Sequence, residues 1–137
     1  MGTEQSNVEF VKDLYAAFNR GDLPYILERF APELEGFGVT ANGAAKAPWH
    51  FEGKTRDDVR RYFEALVGAM EPLRLDVEHC AAAGDYVYAT LHQEWKVRKT
   101  GKLLPMKNGI HRFKVRGGKV VGWLGLEDTQ LTNEALA

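Results

Sequence analysis

Residues 55–79, TRDDVRRYFEALVGAMEPLRLDVEH, change period in mid-course, and that change decides the fold. Thr55 and Asp58 form a capping box, after which Val59, Tyr62, Phe63, Leu66, Val67 and Met70 recur at helical spacing. From Pro72 onward the period falls to two, with Leu73, Leu75, Val77 and His79 alternating with Arg74, Asp76 and Glu78. The spacing predicts a helix leading into a strand that is covered on one face.

Upstream, Ser6 with Glu9 reads as a capping box, and Val8, Val11, Leu14, Tyr15 and Phe18 give a first helix over Asn7–Arg20, closed by Gly21. Asp22 caps a short second helix with Pro24 in its first turn and Pro32 at its end. Glu33 to Val39 reads as a short strand, followed by a small-residue loop, TANGAAK, over residues 40–46. Downstream, Val87, Ala89, Leu91, Gln93, Trp95 and Val97 lie on one strand face. A turn region at Gly101 and Pro105 separates that strand from a hairpin, Ile110–Val115 and Val120–Leu126, joined through Gly117 and Gly118. Helices first and a strand meander last predict an α+β fold, with three helices from the N-terminal half covering a mostly antiparallel sheet.

A length of 137 residues suits one domain, 1–137. With 18 Lys and Arg against 19 Asp and Glu, the net charge of −1 provides no field for a polyanion, so nucleic acid is not an expected partner. One cysteine, Cys80, and four scattered histidines give no disulfide and no metal-ligand spacing. Met1 to Val8 contains no signal-peptide pattern, and no apolar run reaches the ~18 residues of a membrane helix. A cytoplasmic protein without membrane, metal or cofactor is the expectation.

Several stretches recur in a recognisable order: Ala16-Ala17-Phe18-Asn19-Arg20-Gly21-Asp22, Phe30-Ala31-Pro32, Phe51-Glu52-Gly53-Lys54 and Ala83-Gly84-Asp85-Tyr86-Val87. His111-Arg112-Phe113, Gly118-Lys119-Val120 and Glu127-Asp128 complete the series. Together they resemble the SnoaL-like, ketosteroid-isomerase-related proteins of the nuclear transport factor 2-like superfamily. The resemblance implies three helices on a strongly curved sheet, a cone open on an apolar pocket, and commonly a homodimer. It implies no single reaction, because that superfamily includes isomerases, dehydratases, cyclases, epoxide hydrolases and non-catalytic modules.

A steroid isomerase needs a carboxylate base and two donors, a Tyr and a neutral Asp, for the enolate oxygen. Aligned through Asn19-Arg20-Gly21-Asp22, the family's Tyr position falls on Leu14, its base position on Gly38 and its Asp position on His111. Steroid isomerisation is therefore not expected. Tyr15 lies about 100° around the helix from Leu14, which aims its hydroxyl away from the family's position unless the helix turns.

Polar residues on apolar strand faces need a reason, since burying one without a partner costs about 1–3 kcal/mol. Gln93, His111 and Glu127 are the three such residues. Whether they converge depends on the hairpin register: a two-residue turn sets Arg112 opposite Trp123, whereas a three-residue turn sets His111 there. The resemblance favours the second, which groups His111 with Trp123, Gly125 and Glu127. His111 and Glu127 are the candidate catalytic acid and base, their pKa values drawn toward neutrality by a dry pocket. Tyr15, Phe18, Trp49, Phe63, Gln93, Trp95, Phe113 and Trp123 are the candidate substrate contacts, with Trp49 on the rim and 40–46 as a lid. Each also has a structural reading: a core histidine, a strand-bridging amide, a solvated carboxylate, packed aromatics.

The function expected is a cofactor-independent isomerase, lyase, cyclase or epoxide hydrolase acting on a small apolar carbonyl or epoxide. The alternative is a non-catalytic ligand-binding or dimerisation module. Tyr86, Tyr88, Thr90, His92 and Glu94, on the other face of the Val87–Val97 strand, would form the homodimer seam.

Overall fold

The computed structural model describes residues 3–40 and 47–137. Its first helix, α1 (Glu4–Asn19), begins three residues earlier than the sequence pattern suggests. Thr3 is the cap, exchanging hydrogen bonds with Ser6, so Ser6 serves as the third residue of the box rather than its first. Helix α2 (Leu23–Glu28) follows on an Asp22 cap, with Pro24 in its first turn. After β1 (Glu33–Thr40) and the short β2 (Gly53–Thr55), α3 (Arg56–Ala69) starts on the expected box of Thr55 and Asp58. Of the loop expected over 40–46, residues 41–46 lie outside the described residues, and with them the proposed lid.

Four strands then run in sequence: β3 (Met70–Ala83), β4 (Tyr86–Val97), β5 (Leu103–Arg116) and β6 (Lys119–Leu126). The chain ends in α4 (Thr129–Leu136), a fourth helix that the sequence reading left out. The six strands form one sheet in the order β2-β1-β6-β5-β4-β3. Every neighbouring pair is antiparallel except β1 and β6, which run parallel with Phe37 beside Trp123. The fold is thus α+β, with helices on a mostly antiparallel, open sheet. No helix is long and apolar enough to cross a membrane among the described residues.

Strand β4 is the spine of the core. Val87, Ala89, Leu91, Gln93, Trp95 and Val97 are all buried, as the period-two pattern requires. Against them pack Val11, Leu14 and Ala17 of α1 and Val59, Tyr62 and Leu66 of α3. Each fully buried Val or Leu contributes about 1.5–3 kcal/mol relative to an exposed one.

Bulges redirect β3 and β6. In β3, irregularities between Pro72 and Arg74 and between Val77 and His79 break the alternation. Leu73 and His79, expected on the covered face, are exposed, while Cys80 and Ala82 pack inward in their place. Pro105 does not separate strands either, since it lies within β5 opposite Glu94. In the β5–β6 hairpin, Arg116 pairs with Lys119 across a two-residue turn in which Gly117 and Gly118 have φ of 59° and 73°. That combination is the primed turn that only residues tolerant of positive φ supply cheaply.

A bulge at Val121 then shifts the ladder by one, so that Phe113 faces Trp123 and His111 faces Gly125. Neither expected register is correct. The observed one differs by two residues from the register that sets His111 opposite Trp123, and a shift of two leaves every side chain on its face. His111, Phe113, Trp123 and Gly125 therefore share the covered face, as expected, by a different route.

Candidate functional site

Between the helices and the covered face of the sheet lies an apolar cavity of about 90 Å³. This is below the ~150 Å³ that holds a benzene ring, so a one-ring occupant enters only as side chains move. All ten residues singled out from the sequence line it. Tyr15 and Phe18 come from α1, Phe63 from α3, and Gln93 and Trp95 from β4. His111 and Phe113 come from β5 and Trp123 from β6, while Trp49 and Glu127 stand on irregular segments beside the sheet.

The polar groups form two connected sets. In the first, the Tyr15 hydroxyl and His111 Nδ1 are 2.6 Å apart, with the two rings stacked at 5.9 Å. Phe113 meets Tyr15 edge-on at 5.8 Å, and Trp123 meets His111 at 4.9 Å. Although α1 carries Tyr15 about 100° from Leu14, both side chains line the cavity, so Tyr15 meets it from its own position on the helix. At Gly38 a Cβ would stand 3.2 Å from the Phe51 carbonyl oxygen, so a side chain at the position that holds the family's base would crowd that backbone here.

Burial lowers the His111 pKa to about 4, against a smaller upward pull from the Glu127 charge. Burial likewise pushes the Tyr15 hydroxyl up, with Cys80 and Tyr62 adding to it. At neutral pH the pair is therefore a phenol and a neutral imidazole. Among the described residues the phenol has no other acceptor, so its O–H donates to Nδ1 and the imidazole proton sits on Nε2. That leaves Nε2–H as a donor without a protein partner among the described residues.

In the second set, Glu127 is tied down at both oxygens. Trp49 Nε1 donates to Oε1 at 3.2 Å and His50 Nε2 donates to the same atom at 2.6 Å. The Ala47 N–H donates to His50 Nδ1, which fixes the His50 proton on Nε2 and aims it at the carboxylate. Thr132 Oγ1 donates to Oε2 at 2.8 Å, with the Asp128 carbonyl oxygen at 3.0 Å as the other acceptor within reach of that one hydrogen. Asp128 caps α4, so the helix begins beside the carboxylate and brings Thr132 back over it. Burial raises the Glu127 pKa, but the hydrogen bonds from His50, Thr132 and Trp49 outweigh it and hold the carboxyl below its ordinary range.

The expectation of two groups drawn toward neutrality is thus corrected: His111 and Glu127 both shift down, one to a neutral donor and the other to a fixed anion. A carboxylate has about four lone-pair sites and three are occupied here, so one remains to accept a proton.

Gln93 takes the Trp95 indole N–H on its Oε1 at 3.0 Å, and its Nε2 fills the space where a Gly109 Cβ would stand at 2.5 Å. Trp49 is buried to 1% exposure, a wall and a donor rather than a rim. His50 and Thr132 were not found from sequence, because nothing local marks a histidine beside a loop or a threonine in a terminal helix as a carboxylate partner. No group of three or more His, Cys, Asp and Glu suited to a metal occurs among the described residues.

A domain model for SnoaL-like domains matches residues 11–123. No curated protein matches by sequence. Among solved structures, a nuclear transport factor 2-like protein from Burkholderia thailandensis is 25% identical, covering 100% of this chain and 99% of its own, at a TM-score of 0.83. A protein from Mesorhizobium loti, assigned as a SnoaL-like polyketide cyclase, is 18% identical over 85% of this chain and 95% of its own, at 0.68. AclR from Streptomyces galilaeus, assigned as a hydroxylase, is 18% identical over 98% and 97%, at 0.77.

Proposed function

The chain belongs to the SnoaL-like domain family, and from that premise we propose that it is a cofactor-independent acid–base enzyme for a small, mostly apolar carbonyl or epoxide. The observation that carries this reading is the Tyr15–His111 bond, which presents a neutral imidazole N–H in the same apolar cavity as the Glu127 carboxylate. A neutral imidazole is suited to polarising a substrate oxygen, because it donates a hydrogen bond without giving up its proton. Glu127 then takes a proton from the carbon beside the carbonyl. The C–H electron pair becomes the double bond of an enolate, whose oxygen accepts from His111 Nε2–H. Where a second double bond extends the enolate to a dienolate, return of the proton to its far carbon isomerises the substrate; where the β-carbon bears a leaving group, the enolate expels it and the proton on Glu127 passes to it, completing an elimination. The structural relatives assigned as cyclase and hydroxylase act as support at the level of fold, so the chemistry rests on these side chains.

The test is exchange of the carbon-bound proton for deuterium in a panel of small ketones, followed by NMR. Glu127→Gln should lower the rate by about 10² to 10⁴, the usual share of a positioned proton-transfer group. If both Glu127→Gln and His111→Ala stay within about tenfold of the unaltered protein, the assignment is wrong.

A second reading, a non-catalytic ligand-binding module, draws on the same carboxylate. By joining Trp49 and His50 to α4, Glu127 has a structural role that accounts for its burial without chemistry. A ligand that co-purifies and is returned unchanged favours this reading. Either reading includes a homodimer packed through the exposed sheet face, where Tyr88, Ile110 and Leu126 present apolar surface.

A further inference from the structure

The cavity is unusual in its charge. Among the described residues no Lys or Arg lines it, and the one ionised group there, Glu127, is already surrounded by donors. Three neutral side chains on its wall keep a donor that meets no acceptor among the described residues: His111 Nε2, Gln93 Nε2 and the Tyr62 hydroxyl. Tyr62 and His111 flank the same indole, with ring centroids 5.4 Å and 4.9 Å from Trp123, and both feel the Glu127 charge. Burial, and after it that charge, push the Tyr62 hydroxyl well up, so it stays protonated and keeps an O–H to offer to a ligand oxygen.

We propose that the cavity selects an uncharged molecule whose carbonyl-type oxygen is held by the Tyr62 hydroxyl together with His111 Nε2, and that it rejects carboxylates. This rests on the reading of the cavity as the substrate site and assigns Tyr62, otherwise a core aromatic, as a further substrate-binding residue. The physics ranks three ligands of one shape. A ketone gives the buried donors the acceptor they lack. A hydrocarbon leaves them unpaired. A carboxylate offers oxygens but must shed its water with no cation among the described residues to receive it and an ionised Glu127 in the same cavity, which burial of an isolated charge makes the worst case.

Three probes isolate these effects: methyl isopropyl ketone, the alkene in which a methylene group replaces its carbonyl oxygen, and isobutyrate. The protein reports on them directly, because all three of its tryptophans, Trp49, Trp95 and Trp123, line the cavity and their indole N–H resonances can be followed by NMR. In the unaltered protein at neutral pH, the ketone should bind about 100-fold tighter than the alkene, about tenfold for each of the two buried donors it satisfies. Isobutyrate should bind at least about 100-fold more weakly than the ketone. Tyr62→Phe should lower the preference for ketone over alkene about tenfold, the share of one donor, while leaving alkene binding unchanged.

Isobutyrate binding as tightly as the ketone, absence of any indole shift with all three probes, or an unaltered ketone preference in Tyr62→Phe would each overturn the proposal. The charge comparison needs no variant, so it does not depend on the folding of Tyr62→Phe. Deuterium exchange that is indifferent to Glu127→Gln would end the catalytic reading and leave this ranking of ligands standing; a failed ranking with exchange intact would do the reverse.

Discussion

With Nδ1 engaged by Tyr15 and its ring enclosed by Phe113 and Trp123, His111 is a base whose protonation the folded chain resists. The unfolded chain takes up this proton near pH 6.5 and the folded chain only near pH 4. Between those values the unfolded state holds more protons, so stability is full above pH 6.5 and falls as pH drops toward 4. The loss is about 3 kcal/mol at most, since His111 keeps partial accessibility. Glu127 acts in the same direction at lower pH, its depressed pKa giving stability that is lost as the carboxylate protonates. Urea denaturation across this range should show the slope in the unaltered protein and a flatter one in His111→Phe; a flat profile in the unaltered protein would contradict the burial of a neutral imidazole. Residues of this kind were legible in the sequence, because a His, Gln or Glu among alternating apolar neighbours advertises a polar group on a covered face. Tyr62 was not, since in a helical stripe of aromatics a hydroxyl that meets a cavity looks the same as one that merely packs. His50 was hidden for another reason: its partner stands 77 positions away and only the fold joins them.

At the scale of elements, α3 and β4 were legible in detail because one strong period governs each of them. Strands β3 and β6 were not, because a bulge adds a residue without leaving a compositional mark, and each moved side chains that simple alternation would place elsewhere. Sidedness in the β5–β6 hairpin survived only because the true ladder and the favoured one differ by an even number. Helix α4 escaped notice through its shortness, yet it carries the most consequential contact outside the sheet: Thr132, fully buried, on Glu127 Oε2. Thr132→Val keeps the shape and removes the donor, leaving a buried carboxylate oxygen short of a partner. It should cost about 1–3 kcal/mol by chemical denaturation and raise hydrogen exchange in residues 129–136. An unchanged midpoint with unchanged exchange would show that α4 does not depend on this bond.

For the whole molecule, the exposed face of β4, β5 and β6 bears on assembly. Tyr88, Ile110 and Leu126 are 42%, 38% and 43% exposed, a run of apolar surface across three neighbouring strands. Light scattering at micromolar concentration should return twice the mass of the 15.4 kDa chain, and Tyr88→Asp with Ile110→Asp should halve it. A monomer in the unaltered protein would remove the dimer from the proposed function. The parallel pairing of β1 with β6 has a consequence of its own, in time rather than in space. Among the described residues, β1 has as neighbours the three-residue β2 and β6, which begins at Lys119. At translation speeds of about 5–20 residues per second, an emerging chain holds that strand edge open for several seconds before its partner leaves the ribosome. The nascent protein is most prone to mispairing during this interval, when the short β2 is all that has paired with β1.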